Sequence, residues 1–361
     1  MITELEITNF KAFASATIRF GRYTLLSGLN SSGKSTVLQA LALLRQGDNG
    51  FDGIPLNGEL VELGAGRDVL HESIAAVYAN YPMIAFRVAS DKYEDADWHF
   101  SCDLDADFLQ KSHTTCPVFH GEGFQYLRAD RVSPAVTYPR SHEMTVRRGV
   151  IGAHGEFAAD YLLHYQDDLV PEAVRHPAAS TGRLLAQAEA WMSEICPGVR
   201  IQAEAIDRTD LARLGYQFVS PGQLPSEQRR PTNVGFGLTY VLPVIIACLT
   251  AQPETLLLLE NPESHIHPQG QSAMARLTCA AAAAGAQVVV ETHSDHILNG
   301  VRLAVKRQSL SAEDVVLQYF RREDGGIDIV SPAMGPDGML SEWPAGFFDE
   351  WDRSLDQLLD P

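Results

Sequence analysis

Hydrophobic and polar positions alternate over residues 2–10, with Ile2, Leu5, Ile7 and Phe10 set among polar neighbours. That period predicts a strand, and residues 16–20 read as its partner. Residues 23–26 form a third short apolar strand that runs into Gly28. From Lys34 the spacing changes, and Val37, Leu38, Leu41 and Leu44 share one face of a helix. Residues 46–66 are rich in Gly, Asn and Asp and read as loop. Between 74 and 128 lie short strand-like runs at 75–78, 83–88 and 123–127, expected to be antiparallel. Helical stretches follow at 156–165 and 182–195, then a strand pair at 200–206 and 216–219. The last third alternates again: an apolar helix over 239–249, a strand over 255–260, a helix over 269–284 with Gly285 as its C-cap, and a strand over 287–291. Four consecutive leucines, Leu256 to Leu259, suit a parallel strand covered on both faces. The layout predicts an α/β protein whose core comes from 1–44 and 229–340. Residues 45–228 are then an inserted antiparallel β plus helical region, and 341–361 a terminal acidic amphipathic helix.

Composition narrows the classes. With 361 residues, 45% hydrophobic and 20% charged, the chain can bury a real core. Its net charge is −18, from 28 basic and 46 acidic residues, which argues against non-specific coating of nucleic acid. Cys102, Cys116, Cys196, Cys248 and Cys279 are scattered and never in a C-x-x-C pair, so neither a disulfide framework nor a thiolate zinc site is expected. Glu4 and Glu6 stand where a signal peptide would be basic. The most apolar stretch, 240–251, has about half of the ~20 residues that a bilayer requires, and Pro243 interrupts it. A cytoplasmic protein without a membrane partner is expected.

Gly28-Leu29-Asn30-Ser31-Ser32-Gly33-Lys34-Ser35 satisfies G-x-x-x-x-G-K-[ST], between a strand and a helix as its chemistry demands. Glycines let the backbone N–H groups curl towards phosphates, and the following helix directs its positive end at them. Lys34 would reach β- and γ-phosphate oxygens, and Ser35 would place a hydroxyl on Mg²⁺. Such a site also needs a carboxylate at the end of a nearby strand, and Glu260 closes the leucine run. Asn261-Pro262-Glu263-Ser264-His265-Ile266-His267-Pro268 follows, and Glu291-Thr292-His293-Ser294-Asp295-His296 closes the next strand. Upstream, Asn233-Val234-Gly235-Phe236-Gly237-Leu238-Thr239 opens the apolar helix.

This order of motifs resembles the ABC-type ATPases of the SMC/RecF/OLD group, and within it the short stand-alone prokaryotic AAA-family ATPases. Their opening is similar to ITELEITNFKAFASATIRFGRYTLLSGLNSSGKST here, and their C-terminal domain of unknown function is similar to WPAGFFDEWDRSL at 343–355. The resemblance covers roughly 1–45, 123–140 and 229–361. It implies an ABC/SMC-type P-loop core that binds ATP and Mg²⁺. Gly28, Asn30, Ser31, Ser32, Gly33, Lys34, Ser35 and Thr36 fall on the Walker A loop, and Glu260 takes the place of the Walker B aspartate. Gly235 and Gly237 fall on the signature loop, which in ABC dimers contacts the γ-phosphate held by the other subunit. His293 matches the switch histidine. Gln39 lies on the phosphate-loop helix, and no residue matches the Q-loop.

The chain departs from the family pattern in two places. Asn261 stands where a catalytic glutamate usually follows the Mg²⁺ carboxylate, and an amide cannot accept a proton from water. Glu263 is the nearest alternative base. The signature also lacks its usual Ser-Gly-Gly core. Glu260, Asn261, Glu263 and His293 are therefore the candidate catalytic residues, and Ser35 with Glu260 the candidate metal ligands.

The resemblance further implies an ATP-dependent switch. ATP-sandwiched homodimers or higher oligomers would control a separate effector, for instance a nuclease, in DNA maintenance or anti-phage defence. Hydrolysis should be slow. A non-hydrolysing ATP-bound scaffold and a small-molecule phosphotransferase are the alternatives. His265, His267, His293, Asp295 and His296 could be gathered as a metal site, but lining or capping the nucleotide site suits them better. Arg128, Arg131, Arg140, Arg147 and Arg148, or Arg302, Lys306 and Arg307, could track nucleic-acid phosphates. In the tail, Phe347, Phe348, Trp351, Leu355, Leu358 and Leu359 share one helical face, expected either to dock on this chain or to meet a partner.

Overall fold

The computed structural model describes residues 1–47, 52–75, 82–92, 94–114, 123–220, 222, 224–323 and 326–359. Most of the strand expected at 75–78 lies outside them. The chain forms two compact units. One gathers 1–121, 291–295 and 311–361, and the other 122–290 and 296–310, so the stretch 45–228 is divided between them.

In the first unit, Ile2–Phe10 pairs antiparallel with Phe13–Arg19 on one side and Met83–Ser90 on the other. The same sheet continues through Ala96–Cys102 and Phe108–Thr114 to Gly53–Pro55. Burial alternates cleanly along Ala96–Cys102, where Ala96, Trp98, Phe100 and Cys102 point inward. A second layer holds the phosphate-loop strand Tyr23–Gly28. It lies parallel to Val315–Glu323, which forms a hairpin with Gly326–Val330. All but the last residue of Tyr23–Gly28 are buried. The helix Lys34–Gln46 follows and buries Val37, Leu38, Leu41 and Leu44.

In the second unit, Leu256–Glu260 is buried at every position, as its leucine run predicts. It pairs parallel with Phe124–Leu127, contrary to the expected antiparallel arrangement there. Four residues are too few for periodicity to report strand direction. Helix Phe236–Thr250 precedes the leucine strand, and helix Pro268–Ala283 connects it to Gln287–Glu291. Gly285 closes that connection with φ +109°. A separate sheet pairs Val199–Ala205 with Leu211–Phe218. Among the described residues, no helix is long and apolar enough to cross a membrane.

Candidate nucleotide site

The phosphate loop requires glycine at both ends for steric reasons. Gly28 has φ +141°, and a Cβ there would lie 2.1 Å from the Phe320 carbonyl oxygen. Gly33 has φ +94°, and its Cβ would lie 2.5 Å from the Phe13 ring. Ser31 also takes a left-handed conformation, φ +60°. Between the glycines, Leu29, Asn30 and Ser31 are exposed, whereas Ser32 is buried with no hydrogen-bond partner for its hydroxyl. A buried hydroxyl without a partner is one that a bound polar ligand could satisfy.

Lys34 is only 3% exposed, and its Nζ donates to the carbonyls of Gly28 at 3.0 Å and Leu29 at 2.7 Å. Those bonds hold the ammonium inside the curve of the loop. Burial lowers its pKa, and the negative charge of Glu291 acts in the opposite direction. Helix Lys34–Gln46 begins at Gly33 with no side-chain cap and no acidic residue in its first turn. Its first N–H groups and positive end therefore favour a phosphate. Ser35 Oγ donates to Glu291 Oε1 at 2.9 Å. His293 is exposed two residues beyond Glu291, its pKa lowered first by partial desolvation and then by the charge of Lys34. The Thr292 N–H donates to Leu26 O at 3.0 Å and ties this segment to the phosphate-loop strand.

Glu260, Asn261, Glu263, Gly235 and Gly237 come together in the second unit. Tyr126 Oη donates to Glu260 Oε1, and the Ala129 N–H donates to Oε2 at 2.9 Å. Burial nevertheless raises the Glu260 pKa. The chain then turns through Asn261 at φ +43°, a left-handed conformation that asparagine tolerates better than most side chains. The Asn261 Oδ1 is buried without a hydrogen-bond partner, and Glu263 is buried.

Gly235 is the N-cap of helix Phe236–Thr250, whose first turn lacks both a side-chain cap and an acidic residue. A Cβ on Gly235 would meet nothing, whereas one on Gly237 would lie 2.5 Å from the His265 carbonyl oxygen. Beside this loop is a cleft of about 450 Å³, lined by Arg229, Asn233, Phe218, His265 and His267 among others.

The histidines have local roles. The His265 ring meets Phe236 and Tyr240 edge-on, each at 4.8 Å, and the His267 side chain accepts from the Gln269 N–H and caps helix Pro268–Ala283. Among the described residues, no group of three or more His, Cys, Asp or Glu side chains is placed to hold a metal ion. The basic run near 128–148 is largely engaged within the chain. Arg128 pairs with Asp130, Arg140 with the buried Asp160 at 2.8 Å, and Arg147 with Glu143, while Arg131 is buried.

Two residues escaped the reading of the sequence. Glu291 was visible only as the end of a strand, and its pairing with Ser35 crosses 256 positions. Arg131 counted as a surface cation, yet its guanidinium is buried against main-chain carbonyls.

The fold is that of the SMC-head type of P-loop protein, and the phosphate loop lies where that fold places it. Residues 1–106 match a family described as "AAA ATPase domain", and residues 203–299 one described as "AAA domain, putative AbiEii toxin, Type IV TA system". Residues 310–358 match "Protein of unknown function (DUF3696)". The structure is similar to an SMC head solved with the C-winged helix domain of ScpA, with TM-score 0.55 and 14% identity over 91% of this chain and 97% of that one. It is also similar to an SMC head with an extended coiled coil bound to the C-terminal domain of ScpA derived from Pyrococcus furiosus, with TM-score 0.54 and 13% identity over 100% of both chains. At these identities the likeness is one of fold. No curated protein matches the chain in sequence.

Proposed function

We propose that this chain is a cytoplasmic, ATP-binding and slowly ATP-hydrolysing switch that forms ATP-sandwiched dimers and controls a separate effector. The observation that carries this reading is the phosphate loop, with Lys34 held by the Gly28 and Leu29 carbonyls and Ser35 paired with Glu291. We assign the ATPase core to 1–44 and 229–340, with 45–228 as its insertion. The loop N–H groups and Lys34 bind the phosphates. Ser35 would help hold the Mg²⁺ that neutralises charge on the transferring phosphoryl group. Glu263 is the candidate base, and His293 the candidate γ-phosphate contact.

The uncapped helix at Gly235 offers a positive end to a γ-phosphate held by a second copy. Closure then requires that ATP bind the closed dimer more tightly than the open form. The effector reading draws on the SMC heads solved with ScpA, which are heads of this fold with a separate protein bound. The toxin description of the 203–299 match favours a defence setting, anti-phage or otherwise, over general DNA maintenance. Asn261 favours a second reading, in which ATP is held without turnover and the chain acts as a scaffold.

Calorimetric titration of Mg·ATP tests the first step. Lys34→Ala should bind at least 100-fold more weakly, since a charge-assisted contact is lost, and unchanged affinity would overturn the assignment. Light scattering with a non-hydrolysable analogue tests the dimer. Gly235→Asp places a carboxylate at a helix N-cap where an added Cβ meets nothing within 4 Å, so the variant should fold and bind ATP yet stay monomeric. The same monomer mass for wild type with and without analogue would remove the sandwich.

A further inference from the structure

Glu291 is 4% exposed at the end of strand Gln287–Glu291, and a carboxylate buried to that degree is costly unless something binds it. Its Oε1 accepts from Ser35 Oγ at 2.9 Å. The next residue, Thr292, is fixed to Leu26 of the phosphate-loop strand at 3.0 Å, and the Ser294 N–H donates to Thr292 Oγ1 at 3.0 Å. The carboxylate is therefore held by rigid backbone on the loop's metal-side hydroxyl. In P-loop enzymes that hydroxyl shares the Mg²⁺ with an acidic side chain from a neighbouring strand. Glu260 has both oxygens engaged within its own unit, by Tyr126 and the Ala129 N–H, and Asn261 beyond it brings no charge.

We propose that Glu291 is the carboxylate that works with Ser35 on the Mg²⁺ of the bound nucleotide. The proposal deepens the ATP-binding reading and rests on it. A hydroxyl and a carboxylate are hard oxygen donors of the kind Mg²⁺ prefers. The charge logic gives the role a signature that changes sign. With the metal present Glu291 attracts the cation, whereas without it the same carboxylate repels the phosphates.

The experiment is ATP titration of wild type and Glu291→Gln, once in millimolar MgCl₂ and once in EDTA. In Mg²⁺ the variant should bind about 10–100-fold more weakly, the scale on which support of a bound metal is lost. In EDTA it should bind as tightly as wild type or tighter. The Mg²⁺ concentration at half-maximal ATP binding should rise by a similar factor. Ser35→Ala should repeat the loss in Mg²⁺. Equal weakening of Glu291→Gln in both conditions would mean a structural role and overturn the proposal, as would no change in either. If melting shows that Glu291→Gln is unfolded, Glu291→Asp keeps the charge and shortens the reach. That variant should shift the Mg²⁺ midpoint while matching wild type in EDTA, and an unshifted midpoint overturns the proposal. Wild type that binds ATP without dependence on Mg²⁺ overturns this role alone. Wild type that binds no ATP overturns the underlying reading, and this role with it.

Discussion

The Arg131 guanidinium donates to the main-chain carbonyl of Asn261 at 2.6 Å. It also donates to the carbonyls of Glu260 at 2.7 Å, Arg128 at 2.9 Å and Tyr240 at 3.1 Å, and it lies 4.3 Å from the centre of the Tyr240 ring. Tyr240 lies in helix Phe236–Thr250, one turn before Pro243, which has no N–H for the ladder. One buried cation thus ties helix Phe236–Thr250 to the turn that follows strand Leu256–Glu260. Burial lowers its pKa to about 10, still charged at neutral pH. Arg131→Ala leaves buried carbonyls without donors, and each such group costs about 1–3 kcal/mol. Urea denaturation should show a loss of about 3 kcal/mol or more, with Arg131→Lys recovering part of it. A loss within about 0.5 kcal/mol, the range of ordinary surface substitutions, would contradict the structural role.

Variants at Asn261 and Glu263 should separate turnover from conformation. General-base assistance is worth about 10²–10⁴-fold, so wild type should hydrolyse ATP slowly. Single-turnover assays should show that Glu263→Gln abolishes the reaction while ATP remains bound, and that Asn261→Ala costs less. Asn261→Glu supplies a base but forces a longer side chain into φ +43°. It should raise the rate while lowering stability by about 1–2 kcal/mol. Fast turnover that survives Glu263→Gln would move suspicion to His293.

Glu260 predicts a pH dependence. Burial raises its pKa above the usual 4.5, against the hydrogen bonds from Tyr126 and Ala129 that lower it. The folded state therefore binds this proton more tightly than the unfolded chain. Its contribution to stability is full below pH 4.5 and is lost as pH rises through the higher folded value. Tyr126→Phe removes a donor that favours the carboxylate, so the pKa should rise further. Melting temperatures from pH 4.5 to 8 should show a gap between wild type and Tyr126→Phe that widens with pH. A constant gap would mean that the hydroxyl does not serve the charged form.

Part of the tail docks on this chain, and its helix spans only Glu350–Leu359, so Phe347 and Phe348 lie outside the expected helical face. Phe347 is fully buried, with Tyr319, Trp343 and Phe348 at ring distances of 5.2, 5.4 and 4.9 Å. Phe347→Ala should cost about 3–5 kcal/mol, as large buried aromatics do. Leu358 and Leu359, in helix Glu350–Leu359, are 80% and 78% exposed. Truncation after Asp349 should therefore leave the melting temperature within a few degrees while removing capture of an effector. Unfolding on truncation would show that the helix belongs to the core.

Sequence by itself determined the elements whose signals are local. The alternation of Ile2–Phe10, the strand–glycine–helix order around Lys34 and the leucine strand ending at Glu260 all stand where the pattern placed them. Each depends on side-chain period or on a backbone conformation that only certain residues accept, and both are written within a few positions. Tertiary structure decided what depends on distant partners. Phe124–Leu127 became a parallel strand because Leu256–Glu260 lies beside it. Phe347 docked because Tyr319 was there to receive it. Arg131 left the surface because four carbonyls converged on one point. Glu291 reached Ser35 across 256 positions, a pairing for which no local pattern exists because its energy is realised only once the strand end and the helix are both in place.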